Sequence, residues 1–446
     1  MSKIQNKDKD LERVLHIVNV RLSQLSFSPL NKIETEIIKG IWGDRTYNNI
    51  ALEHNYSNAY ITNIAAPSLF KKLSCLVSIK IRKNNCKKLL EKYCLVLEEK
   101  PLFPAGAISL ESRFYVKRHD PEEKIYAEME KPGALVRIRA PQEMGKTSLM
   151  LRLVNRAKQL GYQTVYLDLH ELDIEIFDTC NKFLRYFCAT IVRELGLESK
   201  LDEYWDDDLG CKTSCNSYFQ EYLLQSINSP LFLAIDEVDR VFEYPKIAKD
   251  FFSLLRLWHE KSKMNLVWQK LRLAISYSTE IHVPLQVKQS PFNAAFNVGL
   301  PVQLGYFSCQ EVIELAKCYG FSWQIDGEEV NLLIKMVGGH PALVHLAIYH
   351  LSQENITLPE LLKIGCTATG IYANHLSRHQ ENICQNPGLA IALHKVVSVN
   401  EPVLLEPSQA HQLKNMGLIK LHQNQAVISC QLYGDYFRQT FQALAS

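Results

Sequence analysis

The stretch Ala140-Pro141-Gln142-Glu143-Met144-Gly145-Lys146-Thr147, continued by Ser148-Leu149-Met150, decides how this chain is read. It has the spacing of a phosphate-binding loop, G-x-x-x-x-G-K-[ST], with Ala140 at the first glycine. Its flanks carry the argument. An apolar run at 135–139 predicts a strand before the loop, and helical periodicity over 147–160 predicts a helix after it. In that setting the backbone N–H groups of the loop and helix start wrap phosphate, and the helix dipole favours the anion. The methyl group of Ala140 restricts the turn but removes no backbone donor. Residues Pro141 to Ser148 are therefore candidate nucleotide contacts. Lys146 is expected to reach the β- and γ-phosphates, and Thr147 to offer its hydroxyl to Mg²⁺.

Further along, Leu231-Phe232-Leu233-Ala234-Ile235-Asp236-Glu237 is an apolar strand ending in two acids. Alone it would read as a loop start with solvated charges. Paired with the phosphate loop it has the Walker B form, with Asp236 predicted to hold Mg²⁺ and Glu237 to polarise the attacking water. A further apolar run at 271–276 leads into Ser278 and Thr279. These are candidates for sensing the γ-phosphate, and equally for a turn or helix cap. Val337-Gly338-Gly339-His340-Pro341 breaks a helical stretch, and Pro341 is a candidate for the adenine side. Arg240 and Arg256 follow the two acids. Either is a candidate arginine finger, with Arg256 placed among the catalytic residues, although helical arginines are mostly surface charges.

Apolar strands at 135–139, 164–169, 231–235 and 271–276 alternate with helical stretches such as 147–160 and 250–261. That alternation predicts an α/β domain whose parallel sheet is covered on both faces. The expected organisation is a helix-turn-helix domain over 1–100, the nucleotide-binding domain over 101–305, a helical lid over 306–380 and a winged-helix-like domain over 381–446. In the first segment, Thr46 and Ser57 are expected to cap two short helices separated by a turn at His54-Asn55, with Pro67 kinking or ending the second. Asn58, Tyr60, Thr62 and Asn63 would be its exposed face, followed by the basic Lys71, Lys72, Lys80, Arg82, Lys83, Lys87 and Lys88. DNA contact through residues 46–88 and protein contact are both open. In the last segment, apolar runs at 418–421 and 426–429 flank 422–425 and predict a hairpin.

Composition narrows the classes. An apolar fraction of 47% with 22% charged residues describes a folded globular protein and argues against long disorder. A net charge of +2 excludes a whole-molecule polyanion binder, so any nucleic-acid contact must be local. The start of the chain lacks the apolar core of a signal peptide, and no apolar run is long enough to span a bilayer. The 12 cysteines form no framework. Cys188 and Cys318 read as reduced thiols, and Cys211 and Cys215 lack a second pair for metal. Cytoplasmic location and no membrane contact are the expectation.

These motifs together resemble the AAA-like domain of bacterial signalling and conflict proteins, related to STAND and origin-recognition-type ATPases. The resemblance rests on Phe114 to Arg118, Arg139 to Leu149, Ile235 to Arg240, Phe251 to Glu260, Ser290 to Asn293 and Gly338 to Pro341. It implies an adenine-side role for Tyr115 and Val116. ATP with Mg²⁺ is the expected ligand, with slow hydrolysis unless a neighbouring molecule supplies an arginine. Ala-Pro in place of the leading glycine looks ordinary for that family, whereas Glu143 stands where many relatives carry arginine. Ile41-Trp42-Gly43, residues 46–51 and residues 56–61 are similar to the helix-turn-helix domain at the start of vWA–MoxR-associated proteins. The expected function is an ATP-dependent switch coupled to a signalling partner protein or DNA, with a homo-oligomer possible. The alternatives are an ATP-dependent DNA-binding regulator or loader, and an adaptor with a structural nucleotide site. No guanine-recognition motif of the NKxD type stands where one is expected, which favours ATP.

Overall fold

The computed structural model describes residues 11–445 apart from 20, 23–26, 78, 98–100, 102, 281–296, 354–355, 368 and 400. The chain forms two compact units, 1–102 and 103–446.

The larger unit is built on five strands: β1 Leu135–Ala140, β2 Gln163–Asp168, β3 Leu231–Asp236, β4 Leu271–Ser278 and β5 Leu300–Gln303. All pair in parallel, in the order β2-β3-β4-β1-β5. Every residue of β3 and β4 is buried, as a strand covered on both faces requires. Alternate residues serve the two faces. Leu231, Leu233 and Ile235 join Phe183, Phe187, Phe251 and Trp258 of the helices Cys180–Glu194 and Pro245–Lys261. Phe232 and Ala234 join Leu149, Met150 and Leu153 of the helix Lys146–Gln159. β4 outlasts its apolar run because Tyr277 and Ser278 continue the ladder opposite Arg139 and Ala140. β5 carries Pro301, which an edge position tolerates.

From residue 309 the unit is helical, and one apolar cluster runs from Val312 to Phe437, taking in Phe114 and Val116. It crosses residue 380 without a break. Gly338 and Gly339 adopt positive φ, and Pro341 opens the next helix, Pro341–Gln353. The expected hairpin is present as β7 Ile419–His422 and β8 Gln425–Ile428, joined by a third short strand, β6 Val403–Leu404. The loop is tighter than its sequence suggests. His422 and Gln425 pair, leaving Gln423 and Asn424 at positive φ in a two-residue turn.

In the smaller unit, Thr46 and Ser57 cap their helices by accepting from Asn49 N and Tyr60 N. Pro67 does not end the second helix. A π-helical turn at Ile61–Ala65 precedes it, and the helix continues as Ala66–Val77. The Ala66 N–H donates to Ile61 O, so the ladder passes the proline without its missing donor. Asn58, Tyr60, Thr62 and Asn63 are exposed.

Among the described residues no helix is long and apolar enough to cross a membrane. All cysteines are free, with Cys188 and Cys215 Sγ 3.5 Å apart inside the aromatic core, while Cys318 is only half-buried. Ser290 to Asn293 lie outside the described residues.

Phe251 is wholly buried against Phe183, Phe187 and Phe252, whereas Leu257 on the same helix is 39% exposed. Phe251→Ala is expected to lower unfolding free energy by about 3–5 kcal/mol. Leu257→Ala should cost under about 1 kcal/mol. Urea unfolding of the two variants reads the contrast.

Candidate functional site

The strand order sets the site. β4 lies between β1 and β3, so its end at Ser276 to Ser278 stands between the phosphate loop and Asp236. The loop turns through Glu143 and Gly145, both at positive φ (59° and 89°), and Gly145 caps the helix that starts at Lys146. Several ties hold this shape. The Arg118 guanidinium donates to Met144 O and Gly305 O, each at 2.7 Å. Ser148 Oγ accepts from Ile108 N. Lys146 is buried, and its Nζ donates to Pro141 O at 3.2 Å. Thr147 is half-buried at the start of the helix.

Asp236 is fully buried. Tyr166 Oη donates to its Oδ2 at 2.9 Å, Glu237 N donates to its Oδ1 at 3.0 Å, and Ser276 Oγ also donates to Oδ1. Glu237 leaves the strand at φ 51°, a left-handed backbone for a residue with a side chain. Burial pushes its carboxyl up to about 7; Lys146 opposes the rise, and Asp239, Asp236 and Asp168 add to it. His170, Glu237 and Asp239 offer three ligand atoms within 4.8 Å of one another.

The other sequence candidates divide. Ser278 N donates to Asp239 Oδ1 at 2.9 Å, and its hydroxyl accepts from Glu280 N, so it sits at the strand ends. Thr279 Oγ1 donates to Asn415 O at 2.7 Å, a link to the C-terminal helices. Pro341 is buried at the head of its helix, beside His340. Tyr115 is committed to Glu122, at 2.7 Å, and to the Arg152 guanidinium over its ring. Val116 is buried in the C-terminal apolar cluster. Arg256 Nε binds Glu260 Oε1 at 2.9 Å. Its helix ends near Gly133, before β1, where His259 Nδ1 meets Gly133 O at 3.0 Å. That is the edge of the sheet opposite the phosphate loop, so Arg256 is not brought to the loop of its own chain. Arg240 pairs with Glu243.

Glu280, His375, Arg378 and Tyr433 were invisible in the motifs. Glu280 Oε1 accepts from the loop's Gln142 N at 2.7 Å. Burial raises its pKa, against Arg378, the Gln142 N–H and Lys146. Glu143 Oε2 meets His375 Nδ1 at 2.7 Å, and Glu143 Oε1 meets Arg378 at 3.0 Å. Burial works against the Glu143 charge, yet the His375 hydrogen bond and the Arg378 charge hold its carboxyl down at about 2. His375 passes the contact on through Nε2 to Tyr433 Oη at 2.7 Å. An ionised Glu143 can only accept, so His375 Nδ1 donates to it; burial lowers the His375 pKa, against the pull of Glu143. Only the charge of Glu143 and the helical spacing of His375 and Arg378 were available as signals.

The donor set fits a nucleotide with a hard divalent cation. A positive-φ loop and a helix N-terminus suit phosphate, and the buried Asp236 carboxylate and the Thr147 hydroxyl are oxygen donors of the kind Mg²⁺ takes. Glu280 Oε2 and Arg378 Nε are buried without a hydrogen-bond partner next to this loop, which marks the pocket as polar.

Residues 103–439 match the family model described as an AAA-like domain. Residues 9–93 match that of the vWA-MoxR associated protein N-terminal HTH. Over 253 residues, 56% of this chain, the sequence is 21% identical to an uncharacterized WD repeat-containing protein of Synechocystis sp.. The chain spans about a fifth of the length of that curated relative, 21% of it being covered. The Walker-type ATPase of Pyrococcus abyssi shares the fold at a TM-score of 0.54 and 14% identity, over 77% of this chain and 99% of that one. The ORC2 protein of Aeropyrum pernix, solved as ADPNP-ADP complexes, gives a TM-score of 0.41 at 14% identity, over 79% of this chain and 98% of its own.

The depressed Glu143 pKa has a sign. Its pairing contributes stability that is fully present above the ordinary value of 4.5 and is lost as pH falls towards about 2. The difference in Tm between the native chain and Glu143→Gln should be constant from pH 8 to 5 and shrink below 4.5, read by thermal unfolding across pH.

Proposed function

The chain belongs to the AAA-like domain family, with a vWA-MoxR-associated helix-turn-helix domain near its start, and on that premise we propose that it binds ATP with Mg²⁺ and works as a nucleotide-dependent switch. The observation that carries the reading is the convergence of the phosphate loop, Asp236-Glu237 and the C-terminal helices on one edge of the sheet. Gly417 shows how close that convergence is: a Cβ there would lie 2.8 Å from Tyr306 Oη and 3.5 Å from Pro141 of the loop.

In this reading Gln142 to Ser148 receive the phosphates, and Lys146 leaves the Pro141 carbonyl for the β- and γ-phosphates. Thr147 and Asp236 hold Mg²⁺, which neutralises charge on the phosphate oxygens. Glu237 orients and deprotonates water, and Ser278 stands at the strand end where a γ-phosphate would be sensed. Pro341 and His340 face the base side, with Tyr115 and Val116 bracing the same wall. Hydrolysis is slow in the single molecule. Arg256 acts only across a contact between two copies, because it lies far from its own loop. Residues 306–380 form the lid and 381–446 a winged-helix-like element, both moved by the nucleotide state.

The smaller unit passes that state to a signalling or defence partner. Leu52 and Ile64 are 71% and 60% exposed, and the half-exposed rings of Tyr56 and Tyr60 stack on each other in the same helix-turn-helix. Such a face suits a protein partner. A second reading, DNA contact in a regulator or loader, is favoured by a different patch of the same unit, where Arg45, Lys83, Lys87 and Lys88 line one concavity. Binding of duplex DNA by the full chain that weakens steeply with salt would select this reading.

Lys146→Ala is expected to abolish nucleotide binding. Glu237→Gln should retain binding and lower ATP turnover by about 10²-fold or more. Binding of a fluorescent ATP analogue and phosphate release measure the two. Equal turnover in the native chain and Lys146→Ala would sink the enzymatic part.

A further inference from the structure

The helical run that starts at Asn58, passes through the π turn and ends at Val77 has two unlike sides. Its inner side packs into the smaller unit through Ile61, Leu69 and Leu73. Its outer side carries Tyr60, Ile64, Pro67, Lys71 and Cys75, all exposed. They recur every three or four residues, so they line up as one stripe. From Tyr60 to Cys75 the stripe covers about 22 Å of helix. Past Pro67 it borders a groove of about 570 Å³. Phe70, Ile79 and Ile81 make the groove apolar, and Ile79 is 54% exposed. Lys71 and Lys80 stand in a lining that contains no acid. Among the described residues neither ammonium group has an ion-pair partner. The surrounding sequence has one sign of charge. From His54 to Leu90 there is no aspartate or glutamate, against six lysines and one arginine.

We infer that this stripe and groove dock an acidic amphipathic helix of a partner protein, about four turns long. The inference rests on the reading of the smaller unit as a protein-contact surface, and it adds the chemistry of the partner. Each part of the face selects one property. Tyr60, Ile64, Pro67 and Ile79 gain by leaving water only against another apolar surface, so the partner presents one. A straight stripe at helical spacing matches the i, i+3, i+4, i+7 face of a second helix. Lys71 and Lys80 flank the apolar floor, so carboxylates beside the partner's apolar face complete the pairing and fix its register. Two other occupants fit less well. A symmetric contact with a second copy would set Lys71 and Lys80 against a surface of their own charge. Duplex DNA gains little from Tyr60, Ile64 and Pro67, which together offer phosphates one hydroxyl and no charge. The cations Arg45, Lys83, Lys87 and Lys88 line a different concavity.

The probe is a phage-displayed library of random peptides of about 16 residues, long enough for four helical turns, selected on the full chain. Enriched sequences should carry Leu, Ile or Phe at helical spacing with Asp and Glu alongside. A synthetic copy of the most enriched peptide should protect Cys75 from alkylation and leave Cys384, exposed in the larger unit, reactive. Ile64→Asp should weaken that peptide about 10-fold or more. Lys71→Glu with Lys80→Glu should weaken it by about 10-fold as well, and should turn preference to a copy with Lys at its acidic positions. Unfolding of the variant cannot produce that swap. Enriched peptides that protect Cys75 without acidic bias overturn the acidic partner and leave the protein-contact reading standing. Peptides that leave Cys75 reactive overturn the inference, and no enrichment at all takes the protein-contact reading down with it. A dimer of the native chain that Ile64→Asp dissociates gives the face to a second copy. Duplex-DNA binding that Ile64→Asp abolishes gives it to DNA, and either result overturns the inference.

Discussion

Five strands running in one direction put all their carboxyl ends on a single edge, and that constraint organises the larger unit. A parallel ladder cannot be closed by short turns, so each strand is followed by a crossover that leaves from this edge. The phosphate loop is the first such departure, Asp236-Glu237 the third and Ser278-Thr279-Glu280 the fourth. None of these groups needed to be near the others in sequence. Order in the sheet, with β4 between β1 and β3, sets how far apart the loop and the acids stand. The buried network of Tyr166, Ser276 and Asp236 then fixes one carboxylate among three strands.

Much of this was legible in the residues because the signals are local. The loop, its flanking strand and helix, the apolar runs of β3 and β4, the caps at Thr46 and Ser57, and the Gly-Gly-His-Pro break each follow from neighbouring residues. What escaped has physical reasons. β5 is a four-residue edge strand containing proline, so its propensity argues against it and only pairing with β1 creates it. The contacts of Glu143 span 232 residues to His375, and no periodicity encodes such a meeting. Arg256 shows the converse. Its position after the two acids suggested proximity, but a long helix packed along the sheet carries it to the opposite edge.

The C-terminal helices are tied to the loop and to the ends of β4 and β5 by several independent contacts. Thr279 reaches Asn415, Tyr306 reaches Gly417, and Glu143 reaches both His375 and Arg378. Phe307 N donates to Gly339 O at 2.7 Å, closing the backbone on the other side. Such redundancy ties the bundle to this side of the sheet at several points, so the nucleotide state acts on it through more than one contact. One apolar cluster continuous from Val312 to Phe437 supports the same behaviour.

The π turn at Ile61–Ala65 has a consequence for the angular phase of its helix. Ile61, Ala65, Leu69 and Leu73 are buried at strict four-residue spacing. In an ideal α-helix each such step advances about 40° past a full turn, so the stripe would rotate by about 120° over the three steps. One extra residue in a π turn takes back about 100° of that drift. The turn is therefore a vernier that keeps a straight apolar seam under a helix whose sequence would otherwise wind it away. Removing a single residue near Pro67 would re-aim everything after it, Lys71 included, while leaving the exposed side chains before it where they are.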